Sequence, residues 1–322
     1  MRTLIVGAGA LGGVIGARLL FSGVDVSFAT RDAQKADQLR ARGLRVTGCG
    51  PSIHVDVRNA RALDAWSQRF ELIILATKAH DVPDCAHLLA ANGTLLPIQN
   101  GITADRPSSL GGLSNLGATM LSTGDYEQRN FGHLLLGALR DEDLDRAELV
   151  GLHLRQGIDA RVSRNIRGAM WSKLLINCSV TTIGALAGTS MRGYIELPEG
   201  RALFDAAYDE ALTVAQAAKV RLEPMVVDPR PPADRDAWVR SLLSAYGDLQ
   251  PSMLQDLQRG RPTEIDVING AVVARGRELN VPVPVNTAIT ERIRSISRGA
   301  TKPSLELLRA TLCPCRRSTG TT

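Results

Sequence analysis

The first twelve residues constrain the fold more than any other part of the chain. Three apolar residues, Leu4 to Val6, precede glycines at positions 7, 9 and 12, and an apolar helical pattern follows. A glycine turn between a buried strand and a helix lets a pyrophosphate approach the backbone, where the helix N-terminus offers N–H groups. These residues therefore predict a dinucleotide-binding site. A glycine-rich turn that serves only helix packing would show the same spacing. The predicted cofactor residues are Gly7, Ala8, Gly9, Ala10, Leu11 and Gly12.

The length of the chain predicts two domains. A single hydrophobic core stops growing at about 250–300 residues, and this chain has 322. Its composition, 44% apolar and 22% charged, is typical of a globular protein. We expect no membrane span, because no run of about 18 apolar residues occurs. The strand so close to Met1 leaves no room for a signal peptide, so we expect a cytoplasmic protein.

Charge and cysteine content exclude several classes of partner. The formal net charge is +5, but the basic residues are scattered and only 4% of residues are aromatic, so we expect no nucleic-acid partner. Five cysteines without a regular framework are typical of a reducing compartment. Cys313 and Cys315 have no second Cys/His pair at a suitable spacing, so we expect no metal site.

The end of the second predicted strand indicates which dinucleotide binds. Val24 to Ala29 has strand character and is followed by Thr30, Arg31 and Asp32. At this position an arginine pairs with the 2′-phosphate of NADP(H), whereas an acid accepts a hydrogen bond from the ribose of NAD(H). Because Arg31 comes first, the sequence favours NADP(H). The alternative is that Asp32 binds ribose and Arg31 is only solvated.

Two further strands place polar residues at the same edge of the sheet. Leu72 to Ala76 is a continuous apolar run, typical of a central parallel strand, and Thr94 to Ile98 predicts its neighbour. Ligands of open α/β sheets bind outside the carboxyl ends of the strands. Lys78 and Asn100 follow these strands and are predicted to meet cofactor and substrate. They could also be an exposed loop lysine and a turn residue.

The pattern changes along the chain and suggests where the domains divide. Ala118 to Ala138 is strand-like and is expected to complete the sheet. From about Ser163 helical periodicity replaces strand signals. The predicted fold is α/β: a Rossmann-like dinucleotide-binding domain over residues 1–163, an all-helical domain over 164–312, and a disordered tail over 313–322.

A polar stripe lies on an apolar helix in the second domain. Lys173, Asn177 and Thr181 are spaced by four residues among leucine, isoleucine and valine. The stripe could simply face solvent. A lysine among apolar neighbours could instead have a lowered pKa, which suits a general acid. Further on, Thr263 is a plausible N-cap for a helix starting near Glu264, and alone that acid is best explained as stabilising its own helix.

Taken together, these blocks resemble the ketopantoate reductases, which use NADPH to reduce 2-dehydropantoate to pantoate on the route to pantothenate and coenzyme A. The resemblance includes the glycine turn and five later blocks: Thr77–Lys78–Ala79, Gln99–Asn100–Gly101, Lys173 to Asn177, Ser252 to Asp256, and Thr263 to Asp266. It implies that Lys173 is the general acid and that the 2-keto acid enters a cleft between the domains. It further implies that Glu264 is catalytic, contacts both substrate and cofactor, and helps to order the site. It implies substrate contacts for Asn100, Asn177, Thr181 and Ser252, and cofactor contacts for Arg31, Lys78 and Asn100.

The chain departs from the family pattern at Thr181, where the family usually has asparagine followed by proline. Threonine keeps a hydroxyl but lacks the paired donor and acceptor of an amide, which leaves the identity of the 2-keto acid open. The alternatives are a reductase of another 2-keto acid and a non-catalytic NADP(H) sensor. A homodimer through Ile268, Val272 and Val273 is a further expectation, although packing within one chain would explain the same residues.

Overall fold

The computed structural model describes residues 1–81, 93–101 and 109–316, and the side chains of these except at 313–316. The chain divides into two compact units. The first contains Met1–Gln99 and Thr103–Ile166, and the second contains Asn100–Ile102 and Arg167–Thr322. The division after Ile166 falls close to the change in periodicity at Ser163. The short segment from Asn100 packs with the second unit, which the sequence did not indicate.

A parallel sheet forms the centre of the first unit. In the described residues its strands, in the order β5-β2-β1-β6-β7, are all parallel. The central strands consist of buried apolar residues because helices or other layers cover both faces of a parallel sheet. These strands are β1 (Thr3–Val6), β2 (Val26–Thr30), β5 (Ala60–Ala62), β6 (Leu72–Leu75) and β7 (Thr94–Pro97).

The strands between 118 and 138 do not complete this sheet, so that expectation was wrong. They belong to two further sheets, in the orders β4-β3-β10-β9 and β12-β11-β8. The Tyr126 side chain of β10 is fully buried. A Cβ atom on Gly13 would lie 2.2 Å from the nearest atom of the Tyr126 ring. The hairpin therefore covers a helix instead of extending the sheet edge. These strands are β3 (Leu44–Gly48), β4 (Ile53–Val55), β8 (Leu110–Ser114), β9 (Ala118–Ser122), β10 (Asp125–Gln128), β11 (Leu134–Ala138) and β12 (Ala160–Val162).

Three helices in the described part of the first unit flank its sheets: α1 (Ala10–Phe21), α2 (Ala33–Arg42) and α3 (Leu144–Leu154). The second unit is helical around one large apolar core. Ile268 and Val272 are buried in this core and Val273 packs against it, so packing within one chain accounts for the three residues suggested as a dimer face. Its described helices are α4 (Ile166–Ile176), α5 (Thr182–Ala187), α6 (Arg192–Ile195), α7 (Pro198–Ala217), α8 (Arg235–Tyr246), α9 (Ser252–Gln258), α10 (Asn269–Glu278), α11 (Pro284–Ser297) and α12 (Leu305–Arg316).

Two expected boundaries were wrong. The helix expected from Glu264 begins at Asn269, because Ile268 has φ −103° and ψ −96°, outside the helical region, and a separate 3-10 turn, Ile265–Val267, precedes it. Helix α12 extends to Arg316, beyond the predicted start of disorder at Cys313, because Leu308 and Leu312 anchor its apolar face in the core. The remainder of that predicted tail, 317–322, lies outside the described residues. No helix in the described ranges is long and apolar enough to cross a membrane.

Candidate functional site

The glycine turn has the geometry of a phosphate cradle. Gly7 has φ +97°, a conformation that disfavours side chains, and its N–H donates to the carbonyl of Ala29 over 2.9 Å. A Cβ atom on Gly12 would lie 2.0 Å from the carbonyl oxygen of Gly7, so only glycine allows the helix to approach the turn. A Cβ atom on Gly9 would meet nothing within 4 Å. Gly9 thus borders open space at the N-terminus of α1, where a pyrophosphate could approach.

Tyr126 fixes this turn from the second sheet. Its hydroxyl donates to the carbonyl of Ala8 over 2.9 Å, and burial raises the pKa of Tyr126 to about 12. The phenol therefore stays neutral and remains a donor throughout the physiological range. The sequence does not indicate this contact, because it joins residues 118 positions apart with no local pattern to mark it.

The two residues after β2 have different partners. The carboxylate of Asp32 accepts a hydrogen bond from the backbone N–H of Lys35 over 2.8 Å and so caps helix α2. Arg31 has a side chain that is 77% exposed, with its guanidinium 3.8 Å from the carboxylate of Asp81. The capping role gives Asp32 a structural explanation, whereas Arg31 remains accessible to an anion.

Lys78 and Gln99 lie beyond β6 and β7. Lys78 is half-buried just after β6. The side-chain amide of Gln99 donates to the hydroxyl of Thr77 over 3.4 Å, and its oxygen is buried with no hydrogen-bond partner among the described residues. A Cβ atom on Gly7 would lie 2.8 Å from the methyl group of Thr77, so this amide lies near the glycine turn. The sequence places Gln99 in a motif but indicates no role for it.

These features fit a nicotinamide dinucleotide. The turn from Gly7 to Gly12 offers backbone space and helix N–H groups for the pyrophosphate, and Arg31 offers a cation for the adenosine end. The unpartnered oxygen of Gln99 is an acceptor that a bound ligand could satisfy. Lys78, another predicted cofactor residue, follows β6, which lies beside β1. Lys78 and the glycine turn are therefore at the same carboxyl edge of the sheet.

The polar stripe of the second unit is the open edge of an otherwise buried segment. Between residues 171 and 187, Lys173, Asn177 and Thr181 are partly exposed and every other residue is buried. The segment is not one α-helix, because a π turn, Asn177–Thr181, separates α4 from α5. The hydroxyl of Thr181 lies 3.5 Å from the side-chain oxygen of Asn177, at the outer limit of a hydrogen bond. The π turn was not predicted, since propensity does not distinguish i+4 from i+5 bonding.

Lys173 combines a lowered pKa with a nearby acid. Burial lowers the pKa of Lys173 from its ordinary 10.5 to about 8, and the charge of Glu264 partly opposes this effect. Glu264 is only 7% exposed. An ammonium group whose pKa lies near neutrality can give up a proton readily, and a neighbouring carboxylate keeps it protonated at working pH.

Asn100 joins the same group through a close backbone approach. Its side-chain N–H donates to the Glu264 carboxylate over 3.0 Å. The next residue, Gly101, has φ +83°, and a Cβ atom there would lie 2.0 Å from the carbonyl oxygen of Val267. Only glycine allows the chain to rest on the 3-10 turn after Glu264, and this packing brings Asn100 to the carboxylate.

Ser252 opens helix α9, with its side chain exposed. The ring of the preceding Pro251 lies 2.8 Å from where a Cβ atom on Gly184 would be, so α9 starts against helix α5. Within the described residues, the Ser252 hydroxyl makes no hydrogen bond to Lys173 or Glu264. The structure therefore bonds Asn100 to Glu264 and brings the charge of Glu264 close enough to act on Lys173. Asn177 and Thr181 lie on the same open edge as Lys173, and Ser252 is a neighbour of α5.

Cys178, next to Asn177, is a packing residue. It is fully buried, its thiol lies 3.3 Å from the carbonyl of Leu175, and burial raises the pKa of the Cys178 thiol. A thiol held neutral in this way is a poor nucleophile. In the part of the chain that the structure describes, no three His, Cys, Asp or Glu side chains are grouped to hold a metal ion.

Comparison with known proteins identifies the family. The profile described as "Ketopantoate reductase PanE/ApbA" matches residues 3–141, and the one described as "Ketopantoate reductase PanE/ApbA C terminal" matches 165–297. A 2-dehydropantoate 2-reductase of Archaeoglobus fulgidus is 28% identical over 310 residues, covering 92% of this chain and 98% of that enzyme. One from Mesorhizobium japonicum is 29% identical and covers 93% of this chain and 99% of its own length.

Solved structures share the fold. A PanE/ApbA family ketopantoate reductase from Ralstonia eutropha superposes with a TM-score of 0.79 at 24% identity, covering 93% of this chain and 99% of that chain. D-mandelate dehydrogenase with NADH and anilino(oxo)acetate superposes with a TM-score of 0.80 at 23% identity and the same coverage. The chain belongs to the ketopantoate reductase family and is an oxidoreductase of the 2-dehydropantoate 2-reductase type.

Proposed function

We propose that this protein is an NADPH-dependent reductase of 2-dehydropantoate, in which Lys173 is the general acid. The observation that carries the proposal is the group formed by Lys173, Glu264 and Asn100: an ammonium with a pKa of about 8, a buried carboxylate and an amide that donates to it. The family relationship adds support, because relatives named 2-dehydropantoate 2-reductase align over most of the chain.

Lys173 acts at the oxygen of the keto group. When bound, the reduced nicotinamide cofactor supplies the hydride that reduces C2 of the keto acid. The ammonium of Lys173 stabilises the negative charge that develops on the C2 oxygen and donates a proton to it. Such preorganised charge is usually the largest single contribution to catalysis. After turnover the neutral amine regains a proton from water, which the charge of Glu264 favours.

The other polar residues orient the substrate in this proposal. Asn177 and Thr181 share the open edge of segment 171–187 with Lys173 and bind the substrate carboxylate or hydroxyl. Ser252 adds a hydroxyl donor near α5. Glu264 keeps Lys173 protonated and holds the side chain of Asn100, whose remaining hydrogen-bonding capacity faces substrate or cofactor. Arg31 and Lys78 bind the cofactor from the first unit.

NADP(H) is proposed over NAD(H) because of the residues that follow β2. Asp32 caps α2 through one carboxylate oxygen, so its presence after β2 has a structural explanation that does not require a ribose. The exposed guanidinium of Arg31 suits a 2′-phosphate, with which arginine forms two parallel hydrogen bonds. D-mandelate dehydrogenase has been solved with NADH, so NADH is the necessary comparison in any assay.

The test is the loss of NADPH absorbance with purified protein and 2-dehydropantoate, beside NADH and other 2-keto acids. Rapid oxidation of NADPH with 2-dehydropantoate is expected. NADPH oxidation only with another keto acid would favour the second candidate, a reductase of a different 2-keto acid, which Thr181 motivates. Binding of NADPH without turnover of any keto acid would favour a sensor and contradict the proposal.

Thr181→Asn is the variant that decides how Thr181 affects the substrate. If Thr181 fulfils the role of the usual asparagine poorly, restoring the amide lowers KM for 2-dehydropantoate by about 10-fold, the worth of one good hydrogen bond to a bound group. The matched control is Thr213→Asn on α7, whose side chain is exposed. An increase in KM on Thr181→Asn would mean that the pocket is built for another acid.

A homodimer is also proposed. It is supported by a dimeric ketopantoate reductase from Staphylococcus aureus, which shares the fold with a TM-score of 0.73 at 19% identity. Light scattering tests it, and a mass of about 69 kDa, twice the 34.5 kDa of the chain, is expected.

A further inference from the structure

Side-chain hydrogen bonds hold the π turn between α4 and α5, and one of them comes from the distant helix α10. The N–H of Thr182 donates to the carbonyl of Asn177, five residues earlier, which is the bonding pattern of a π turn. The next carbonyl, of Cys178, accepts from the side-chain amide of Asn269 over 2.9 Å and from the hydroxyl of Thr182 over 2.5 Å. Two side-chain donors thus satisfy a carbonyl at the point where the helical register changes.

A buried chain of amides fixes the orientation of Asn269. The second N–H of its amide donates to the side-chain oxygen of Asn286 over 3.0 Å. The amide of Asn286 in turn donates to the carbonyl of Ala207 over 3.0 Å and to the carboxylate of Glu210 over 2.8 Å. Both asparagines have no exposed surface, so water does not compete.

The order of donors and acceptors in this chain is forced. The carboxylate of Glu210 already accepts from the backbone N–H groups of Val285 and Asn286, over 2.8 and 2.9 Å. The NH₂ group of Asn286 must therefore face Glu210 and its oxygen must face Asn269. Asn269 then has to direct its own NH₂ group at Cys178, and its oxygen stays without a hydrogen-bond partner in the described residues. An unpaired buried oxygen reduces the stability of the fold. The hydrogen bond from Asn269 to the carbonyl of Cys178, which holds the π turn, explains why this orientation is kept.

The π turn also has a geometric effect on the polar stripe. In a continuous α-helix each step of four residues advances by about 40°, so Thr181 would lie about 80° from Lys173. A π turn advances fewer degrees per residue and so brings Thr181 back toward the face of Lys173 and Asn177. The burial pattern agrees, because these three residues are partly exposed and the rest of 171–187 is buried.

We propose that Asn269 is a positioning residue: by holding the carbonyl of Cys178 it maintains the π turn that places Asn177 and Thr181 on the face of Lys173. This inference rests on the proposed function for its catalytic consequence, although its structural part does not. Asn269 touches neither Lys173 nor Glu264 in the described hydrogen bonds, and it acts only through the turn.

The test uses Asn269→Leu, which removes the donor at similar size, and Asn269→Asp, which keeps the shape but replaces the donor by an acceptor. The matched control is Thr290→Val, which removes another buried hydrogen bond, from the Thr290 hydroxyl to the backbone of Asn286, without touching Cys178. We expect hydrogen exchange of the amides of 177–187 to quicken in both Asn269 variants and not in the control.

We further expect kcat for the keto acid to fall by about 10-fold or more in Asn269→Leu, with the Kd for NADPH within twofold of wild type. A general loss of stability would lower Tm in the control and in the Asn269 variants alike. It would not lower kcat in the Asn269 variants alone. Unchanged hydrogen exchange in Asn269→Leu would contradict the claim that Asn269 holds the π turn. A kcat of Asn269→Leu no lower than that of Thr290→Val would contradict the positioning role of Asn269. A wild-type protein without keto acid turnover would instead count against the proposed function.

Discussion

The surroundings of Lys173 disfavour the charged form of its side chain. Its neighbours Ser172, Leu174 and Leu175 are almost fully buried, and burial lowers the pKa of Lys173 to about 8. The same burial that weakens the charged form makes the proton easier to transfer. Residues that reduce stability while serving chemistry are typical of active sites. This cost is a reason to prefer the catalytic explanation over a solvent-facing stripe.

The first prediction concerns turnover. Lys173→Ala should lower kcat by about 10²–10⁴, the usual contribution of a positioned general acid, with little change in the Kd for NADPH. Lys302→Ala, which removes an exposed lysine, is the control. Stopped-flow measurement of NADPH oxidation provides the rate. A variant that retains the wild-type kcat would assign the proton to another group.

The second prediction concerns pH. Keto acid reduction needs protonated Lys173, so kcat/KM should be level below pH 8 and decline above it, as the pKa of about 8 requires. Because the pKa of Lys173 is lower in the folded state than its ordinary 10.5, the folded protein binds fewer protons than the unfolded chain between these values. The free energy of unfolding should therefore rise with pH across that window.

The stability part of this prediction is checked by urea unfolding of the wild type and Lys173→Met at pH 7 and pH 9.5. The methionine variant lacks the titrating amine, so its stability relative to wild type should be greater at pH 7 than at pH 9.5. Equal differences at the two pH values would mean that the pKa of Lys173 is close to its ordinary value.

The third prediction concerns Arg31. Replacing Arg31 by Ala should weaken NADPH binding by about 10-fold or more, since a charge-assisted bond to phosphate contributes about 1.5–3 kcal/mol. Binding of NADH, which has no 2′-phosphate, should change little. The exposed Arg58 provides a matched control as Arg58→Ala. Isothermal titration calorimetry with both cofactors measures the effect. An equal loss of affinity for NADH and NADPH would mean that Arg31 does not bind the 2′-phosphate.

At the scale of elements, the segment after β7 and the 3-10 turn Ile265–Val267 depend on each other. Gly101 has φ +83° and leaves no room for a side chain against Val267. Glycine is needed here both for its conformation and for the close approach. The hydrogen bond between Asn100 and Glu264 follows from this packing of two backbones.

The fourth prediction tests that dependence. Gly101→Ala should displace Asn100 from Glu264, lower kcat, and reduce the free energy of unfolding by about 1–3 kcal/mol. Gly299→Ala is a matched control, because Gly299 has φ +74° but a Cβ atom there would meet nothing within 4 Å. The control shares the backbone strain without the collision. If both variants lose the same activity, the approach to Val267 is not what positions Asn100.

At the scale of the whole molecule, the two units carry separate parts of the proposed chemistry. The glycine turn belongs to the first unit, and Lys173, Glu264 and Asn100 to the second. The three tryptophans divide likewise: Trp66 lies in the first unit, and Trp171 and Trp238 lie in the second. Their fluorescence can therefore report each unit separately.

The fifth prediction uses these reporters. NADP⁺ at about 100 times its Kd should stabilise the unit that binds it by about 2.7 kcal/mol. In a double variant, Trp171→Phe and Trp238→Phe, the remaining Trp66 should show a higher urea midpoint with NADP⁺. The companion variant Trp66→Phe reports the second unit. A shift seen only in the companion would place the cofactor on the helical unit and contradict the assignment.

The sequence alone determined the features that depend on neighbouring residues. The glycine turn, the apolar strands β1 and β6 and the four-residue spacing of the polar residues from Lys173 are patterns within about a dozen residues, where steric limits and periodicity act directly. The family resemblance then assigned Glu264 a role in the site, although local reasoning explained it as a helix-stabilising acid.

Only the tertiary structure decided the features that join distant segments. The second sheet over α1, the π turn held by Asn269, the bond from Tyr126 to Ala8 and the contact of Asn100 with Glu264 each join residues far apart in the chain. Their energy comes from burial and from satisfying buried polar groups, which depend on what packs nearby and leave no local period to read. That is why the sequence could predict candidate residues for the site but not the contacts among them.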